Sequence, residues 1–187
     1  MKILFFDLET TGVNPNKHGI IQLSCSLEEK GKIVDSLNLD MQPYYKAVFD
    51  PKSTESHGKT AEDVQAFMTC EQGYNKLLSF LNKHIDQFDK KDKATLCGFK
   101  NSSFDDQFLR KFFEYNGSSY FGSYFYPNSL DVSVLATQFL LEVRNDLKNF
   151  QLRTVAEYLG VEVDESKLHD ADYDVFLTRQ VYKIITL

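Results

Sequence analysis

Five residues in three separate blocks of this 187-residue chain have the types and spacing to do chemistry together. Asp7 and Glu9 stand in Phe5-Phe6-Asp7-Leu8-Glu9-Thr10-Thr11-Gly12. Asp105 closes Asn101-Ser102-Ser103-Phe104-Asp105, and His169 and Asp174 bound His169-Asp170-Ala171-Asp172-Tyr173-Asp174. Four carboxylates brought together repel one another and raise each other's pKa unless a cation sits between them. Such a set suggests divalent metal ions and the phosphate chemistry that they assist. A histidine beside it supplies a proton acceptor for work near neutral pH.

Each member also has a plainer reading when taken alone. Asp7 and Glu9 are two apart on an apolar run, so on a strand they share a face and suit Mg²⁺ or Mn²⁺ with oxygen ligands. A solvated strand end has the same pattern. Thr10, Thr11 and Gly12 add hydroxyls and an open turn that would receive a terminal nucleotide. Asp105 lies beside a Phe104, Phe108, Phe112 stripe, after Asn101-Ser102, which reads as a helix cap. Alone it is a first-turn acid favoured by the helix dipole. Asp106, four before Arg110, reads as an exposed ion-pair partner.

Asp174 shares a helical face with Thr178, Val181 and Ile185, and an acid on an inward apolar stripe needs a partner. His169, ahead of that helix, is by itself a structural hydrogen-bonder. Asp170 to Asp174 imitates the start of a calcium-binding EF-hand loop, but Val175 and Val181 stand where Gly and Glu are required. Calcium sensing is rejected. The aromatic segment Tyr120-Phe121 and Tyr124-Phe125-Tyr126-Pro127 offers faces for base stacking, though packing under a loop is the commoner use.

The elements that must position these residues follow from periodicity. Ile3 to Leu8 has the short apolar run of a buried central strand. Ile20 to Leu27 and Ile33 to Leu39 are two more strands, and the polar, glycine-containing Glu28 to Lys32 joins them as a hairpin. Pro51 to Lys59 is loop-like, and Thr60-Ala61-Glu62-Asp63 is a helix start with a capping threonine. Tyr74, Leu77, Leu78, Leu81 and Ile85 mark a longer helix. Lys90 to Lys93 is a solvated loop, Ala94 to Phe99 a strand, and Phe104 to Tyr115 a helix. Ser129 to Ala136 is a strand or the start of a helix, and Thr154 to Leu159 and Ala171 to Ile185 are helices. Three antiparallel strands followed by alternating helices and strands predict one α/β domain over 1–187 with a mixed sheet.

Composition excludes some roles. With 42% hydrophobic and 26% charged residues the chain is globular, as opposed to disordered. A net charge of −6 argues against coating nucleic acid through a broad basic face, but not against gripping a strand end. Cys25, Cys70 and Cys97 are widely spaced without a CxxC pair, as expected of reduced thiols. Asp7 and Glu9 interrupt the N-terminal apolar run before it reaches signal-peptide length, and no run is long enough to span a membrane. A cytoplasmic protein is expected.

Taken together and in order, the three blocks resemble the motifs of the DnaQ-like, DEDDh-type 3′→5′ exonucleases. Ile20-Ile21-Gln22-Leu23, His57-Gly58-Lys59-Thr60, Leu130-Asp131-Val132 and Leu152 to Gly160 are secondary matches, so the resemblance covers nearly the whole chain. It implies a ribonuclease H-like fold with a mixed five-stranded sheet. It also implies two Mg²⁺ or Mn²⁺ ions held by Asp7, Glu9, Asp105 and Asp174, with His169 as general base on the attacking water. Thr10, Thr11, Gly12, His57, Asn101 and Phe104 would bind the substrate. The implied substrate is a single-stranded 3′ end, DNA favoured over RNA, with a polymerase or another replication or repair protein as partner class. Lys59 departs from the pattern, since many relatives carry an apolar residue there; it would touch the substrate backbone.

Overall fold

A computed structural model describes residues 1–186, one short of the expected 1–187 unit. The predicted first strand extends at both ends to form β1 (Lys2–Thr10). β2 (Ile20–Glu29) and β3 (Lys32–Asp40) follow as the expected hairpin. Its turn is made by Lys30 and Gly31, with φ of 51° and 79°, the positive values that a two-residue hairpin loop demands. β4 (Ala94–Gly98) pairs parallel to β1, and β5 (Leu130–Asp131) parallel to β4. The sheet is therefore mixed and five-stranded, in the order β3-β2-β1-β4-β5, with its first three strands antiparallel.

The helices correct three expectations. Pro51 to Lys59 is mostly helical: α1 (Pro51–His57) opens on proline, whose missing N–H costs nothing at a first helical position. Asp50 accepts the Lys52 amide just before it at 3.0 Å. α2 (Ala61–Gln65) starts at the predicted cap, Thr60, in a reciprocal capping box with Asp63. α3 (Cys70–His84) has the same device between Thr69 and Gln72.

α4 (Asp105–Tyr115) is preceded by Phe104 with no side-chain cap, while Asn101–Ser103 form a separate 3-10 turn. Asn101 is buried and donates to Asp106 at 3.0 Å, and Ser129 donates to the same carboxylate at 2.6 Å. Asp106 is thus a partly buried acceptor instead of an exposed partner for Arg110. Arg110 lies over the Phe121 ring, 4.2 Å from its centre.

α5 (Phe121–Tyr124) gives the aromatic segment its role. Phe121, Tyr124 and Phe125 are buried around Phe113, so packing accounts for them. Ser129 to Ala136 is both strand and helix, because Asp131 ends β5 and caps α6 (Val132–Phe139) through the Ser133 amide. α7 (Leu152–Tyr158) and α8 (Ala171–Thr186) complete the chain. The three cysteines are free. Among the described residues no helix is long and apolar enough to cross a membrane.

The sheet separates two apolar layers. Leu4, Phe6 and Leu8 pack against α3 and α4, and Ile3 and Phe5 against α6, α7 and α8. Alternation along β1 therefore carries the Ile3–Phe5 face onward to Asp7 and Glu9.

Candidate active site

Three elements deliver the five residues to one place. Asp7 and Glu9 occupy the last turns of the pleat on β1. Asp105 is the first residue of α4, and Asp174 lies in the first turn of α8. His169 stands two residues before α8 with φ of 65°, a left-handed conformation uncommon outside glycine. One side-chain ligand atom each from Glu9, His169 and Asp174 lies within 4.8 Å of the others. Asp7 and Asp105 join this trio electrostatically, since each feels its neighbours' charges.

Burial is the first cause of strain in the site. It pushes the Asp7 carboxyl well above the usual range, and the charges of Asp105, Asp174 and Glu9 push it further. Glu9 rises to about 8, through burial and then Asp174, with Lys59 pulling the other way. Burial also lifts Asp105 to about 8, against relief from its own amide and that of Leu8. Asp174 rises to about 6, again through burial, moderated by His169. Hard oxygen donors that resist ionisation side by side are the donor set that Mg²⁺ or Mn²⁺ prefers, and a cation would resolve the repulsion that the residues alone cannot. The residues fit divalent metal.

A consequence can be measured without substrate. Carboxyls whose folded pKa lies above the unfolded value near 4 stabilise the fold fully only below that value. Their contribution is lost as pH rises toward the folded values of about 6 for Asp174 and about 8 for Glu9 and Asp105. In EDTA the melting temperature should therefore fall between pH 6.5 and 8.5, and millimolar Mg²⁺ should reduce the drop. A metal-free melting temperature that rises over this interval would contradict the assignment.

Beside Glu9 runs a groove of about 440 Å³, lined also by Thr10, Gly12, His57 and Phe104. Sequence reasoning named all of these. Gly12 cannot carry a side chain, because a Cβ there would stand 2.5 Å from the His18 ring. His57 Nδ1 accepts the Lys59 amide at 3.1 Å, which leaves the ring proton on Nε2, buried without a partner.

Two expected substrate contacts lie elsewhere. Thr11 is fully buried, and its hydroxyl donates to the Val48 carbonyl and accepts the Gly19 amide. Asn101 is buried against Asp106 and under Gly98. Both brace the loops that carry their neighbours. The groove's other wall is the unforeseen α1, which presents Lys52, Ser53 and Ser56. Only the Asp-Pro step at 50–51 signals that helix in the sequence.

Acids from a central strand and two flanking helix starts, on a sheet of this order, are the arrangement of a ribonuclease H-like fold. The chain belongs to the exonuclease family, whose sequence profile matches residues 4–182, and within it to the DnaQ-like 3′→5′ exonucleases that its motifs resemble. It is 26% identical over 95% of its length to the PolC-type DNA polymerase III of Mycoplasmopsis pulmonis, spanning 11% of that protein. It is 27% identical over 78% of its length to the oligoribonuclease of Buchnera aphidicola, spanning 91% of that protein. The fold matches E. coli exonuclease I in complex with a dT13 oligonucleotide, with a TM-score of 0.79 at 21% identity. That match covers 98% of this chain and 40% of the other.

Proposed function

We propose that residues 1–187 act as one metal-dependent 3′→5′ exonuclease unit that releases nucleoside 5′-monophosphates from single-stranded DNA. The observation that carries this reading is the set of four mutually repelling acids, with His169 among them, beside a groove of nucleotide size. Asp7, Glu9, Asp105 and Asp174 would hold two Mg²⁺ or Mn²⁺ ions. When bound, such cations supply charge neutralisation for the phosphate under attack.

The chain's own residues supply the rest. His169 takes the proton of the water that adds to the last phosphodiester. The bond from phosphorus to the preceding nucleotide's 3′ oxygen breaks, leaving a mononucleotide and a strand one residue shorter. Phe104 presents a ring face for the terminal base. His57 lines the groove beside it, and the Thr10–Gly12 turn lets the strand end approach the backbone.

DNA is favoured by the Asp-Leu-Glu-Thr-Thr-Gly and His-Gly-x-Thr forms and by the likeness to an exonuclease bound to oligo(dT). RNA is the second reading, supported by the oligoribonuclease matched over nearly its full length. A polymerase-associated role is supported by the likeness to the PolC-type enzyme. Matched 5′-labelled single-stranded DNA and RNA, incubated with Mn²⁺ or Mg²⁺ and with an EDTA control, test the proposal. The expected result is a metal-dependent ladder shortening from the 3′ end of DNA. A ladder confined to RNA would move the chain to the second reading, and no ladder on either would overturn both.

A further inference from the structure

β2 carries two polar side chains directly across the ladder from the acids of β1: Gln22 opposite Glu9, and Ser24 opposite Asp7. Both are buried, Gln22 with 4% of its surface exposed. The Gln22 amide grips the start of α8 from both ends. Its Oε1 accepts the Ala171 amide at 3.3 Å, and its Nε2 donates to the Asp170 carboxylate at 3.2 Å. That carboxylate accepts the Asp172 amide at 3.1 Å, and the Asp172 side chain accepts the Ser24 hydroxyl at 3.1 Å. Amides in the first turn of a helix have no partner within the helix, so these bonds fasten the turn to the sheet.

Lys59 locks the gripping amide. Its ammonium donates to Gln22 Oε1 at 2.9 Å, and Gln22 Nε2 also faces Asn38 Oδ1 at 3.5 Å. Two donors therefore meet the oxygen and two acceptors meet the nitrogen, an arrangement that only one amide orientation satisfies. Lys59 is itself held between Gly58, at φ of 72°, and Thr60, the cap of α2. The segment fastened in this way includes the residue next to His169. A left-handed non-glycine backbone persists only where its surroundings over-determine it.

We propose that Gln22 and Lys59 are positioning residues that fix His169 and Asp174 relative to Asp7 and Glu9 by tying α8 to the strand paired with the acid-bearing one. The kinetic consequence rests on the exonuclease reading; the structural consequence does not. The test compares Gln22→Leu, Lys59→Met and Lys59→Arg with the parent, by steady-state kinetics and by amide hydrogen exchange.

Gln22→Leu and Lys59→Met should lower kcat by about 10–100-fold, as is usual for groups that orient a site's ligands, with KM little changed. Exchange at Ala171 and Asp172 should accelerate in both while β1 and β2 keep parental protection. Lys59→Arg should restore both readouts. Lys59 is half-buried, so Lys59→Met keeps the test open should Gln22→Leu fail to fold. Parental exchange at Ala171 and Asp172 would overturn the proposal. So would a raised KM at parental kcat in Lys59→Met, the pattern of a side chain that binds the strand. A parent without nuclease activity would overturn the exonuclease reading instead, and the exchange data would still decide the clamp.

Discussion

Asp7→Asn should lower turnover by at least about 10³-fold, the equivalent of several kcal/mol of lost metal assistance, while leaving the fold intact. Asparagine keeps the shape and loses the charge. Asp7 is the acid on which the neighbours converge: burial, Asp105, Asp174 and Glu9 all push its carboxyl up. Removing its charge therefore eases the metal-free protein. In EDTA at pH 8 the variant should melt above the parent, by about 2–4 °C if the relief amounts to about 1 kcal/mol. Differential scanning calorimetry and the labelled-strand assay measure the two halves of this prediction. An active variant would remove Asp7 from the metal-binding set. An inactive variant that melts well below the parent would show a structural role instead.

His169→Ala should reduce kcat by about 10²–10⁴-fold, as expected for loss of a general base. The geometry makes a second measurement necessary, because His169 presents a ring nitrogen within 4.8 Å of ligand atoms of both Glu9 and Asp174. A base and a ligand would both lower the rate. Titration calorimetry with Mn²⁺ separates them. If His169 is the base, the variant binds metal as the parent does; if it is a ligand, metal affinity falls together with the rate. Cleavage at nearly the parental rate would exclude both roles.

What could be read from the sequence depended on whether a residue's partners were near it in the chain. The first three strands were legible because Ile3 to Leu8, Ile20 to Leu27 and Ile33 to Leu39 carry their apolar character locally, with Lys30-Gly31 marking the turn. Asp174 was legible because an acid on an apolar stripe is anomalous in its own helix. α1 was not, since Lys52, Ser53, Ser56 and His57 face the groove and leave no apolar period to detect. Asn101 looked like a helix cap because its true partner, Asp106, is held in turn by Ser129 from beyond the helix. The hydroxyl of Thr11 looked available until the fold brought Val48 to it. Gln22 was silent for the same reason, as its partners lie 16, 37 and more than 140 residues away.

The acids and the histidine also differ in what supports them. Asp7 and Glu9 ride on the central strand, in a continuous backbone ladder with β2. His169 rides on a turn secured by side chains. Opening a helix start held by side-chain bonds costs less free energy than separating a central strand from its ladder. The chain therefore has within reach a folded but catalytically silent state, in which the sheet is whole and the site is dismantled. Heat should inactivate this protein before it melts.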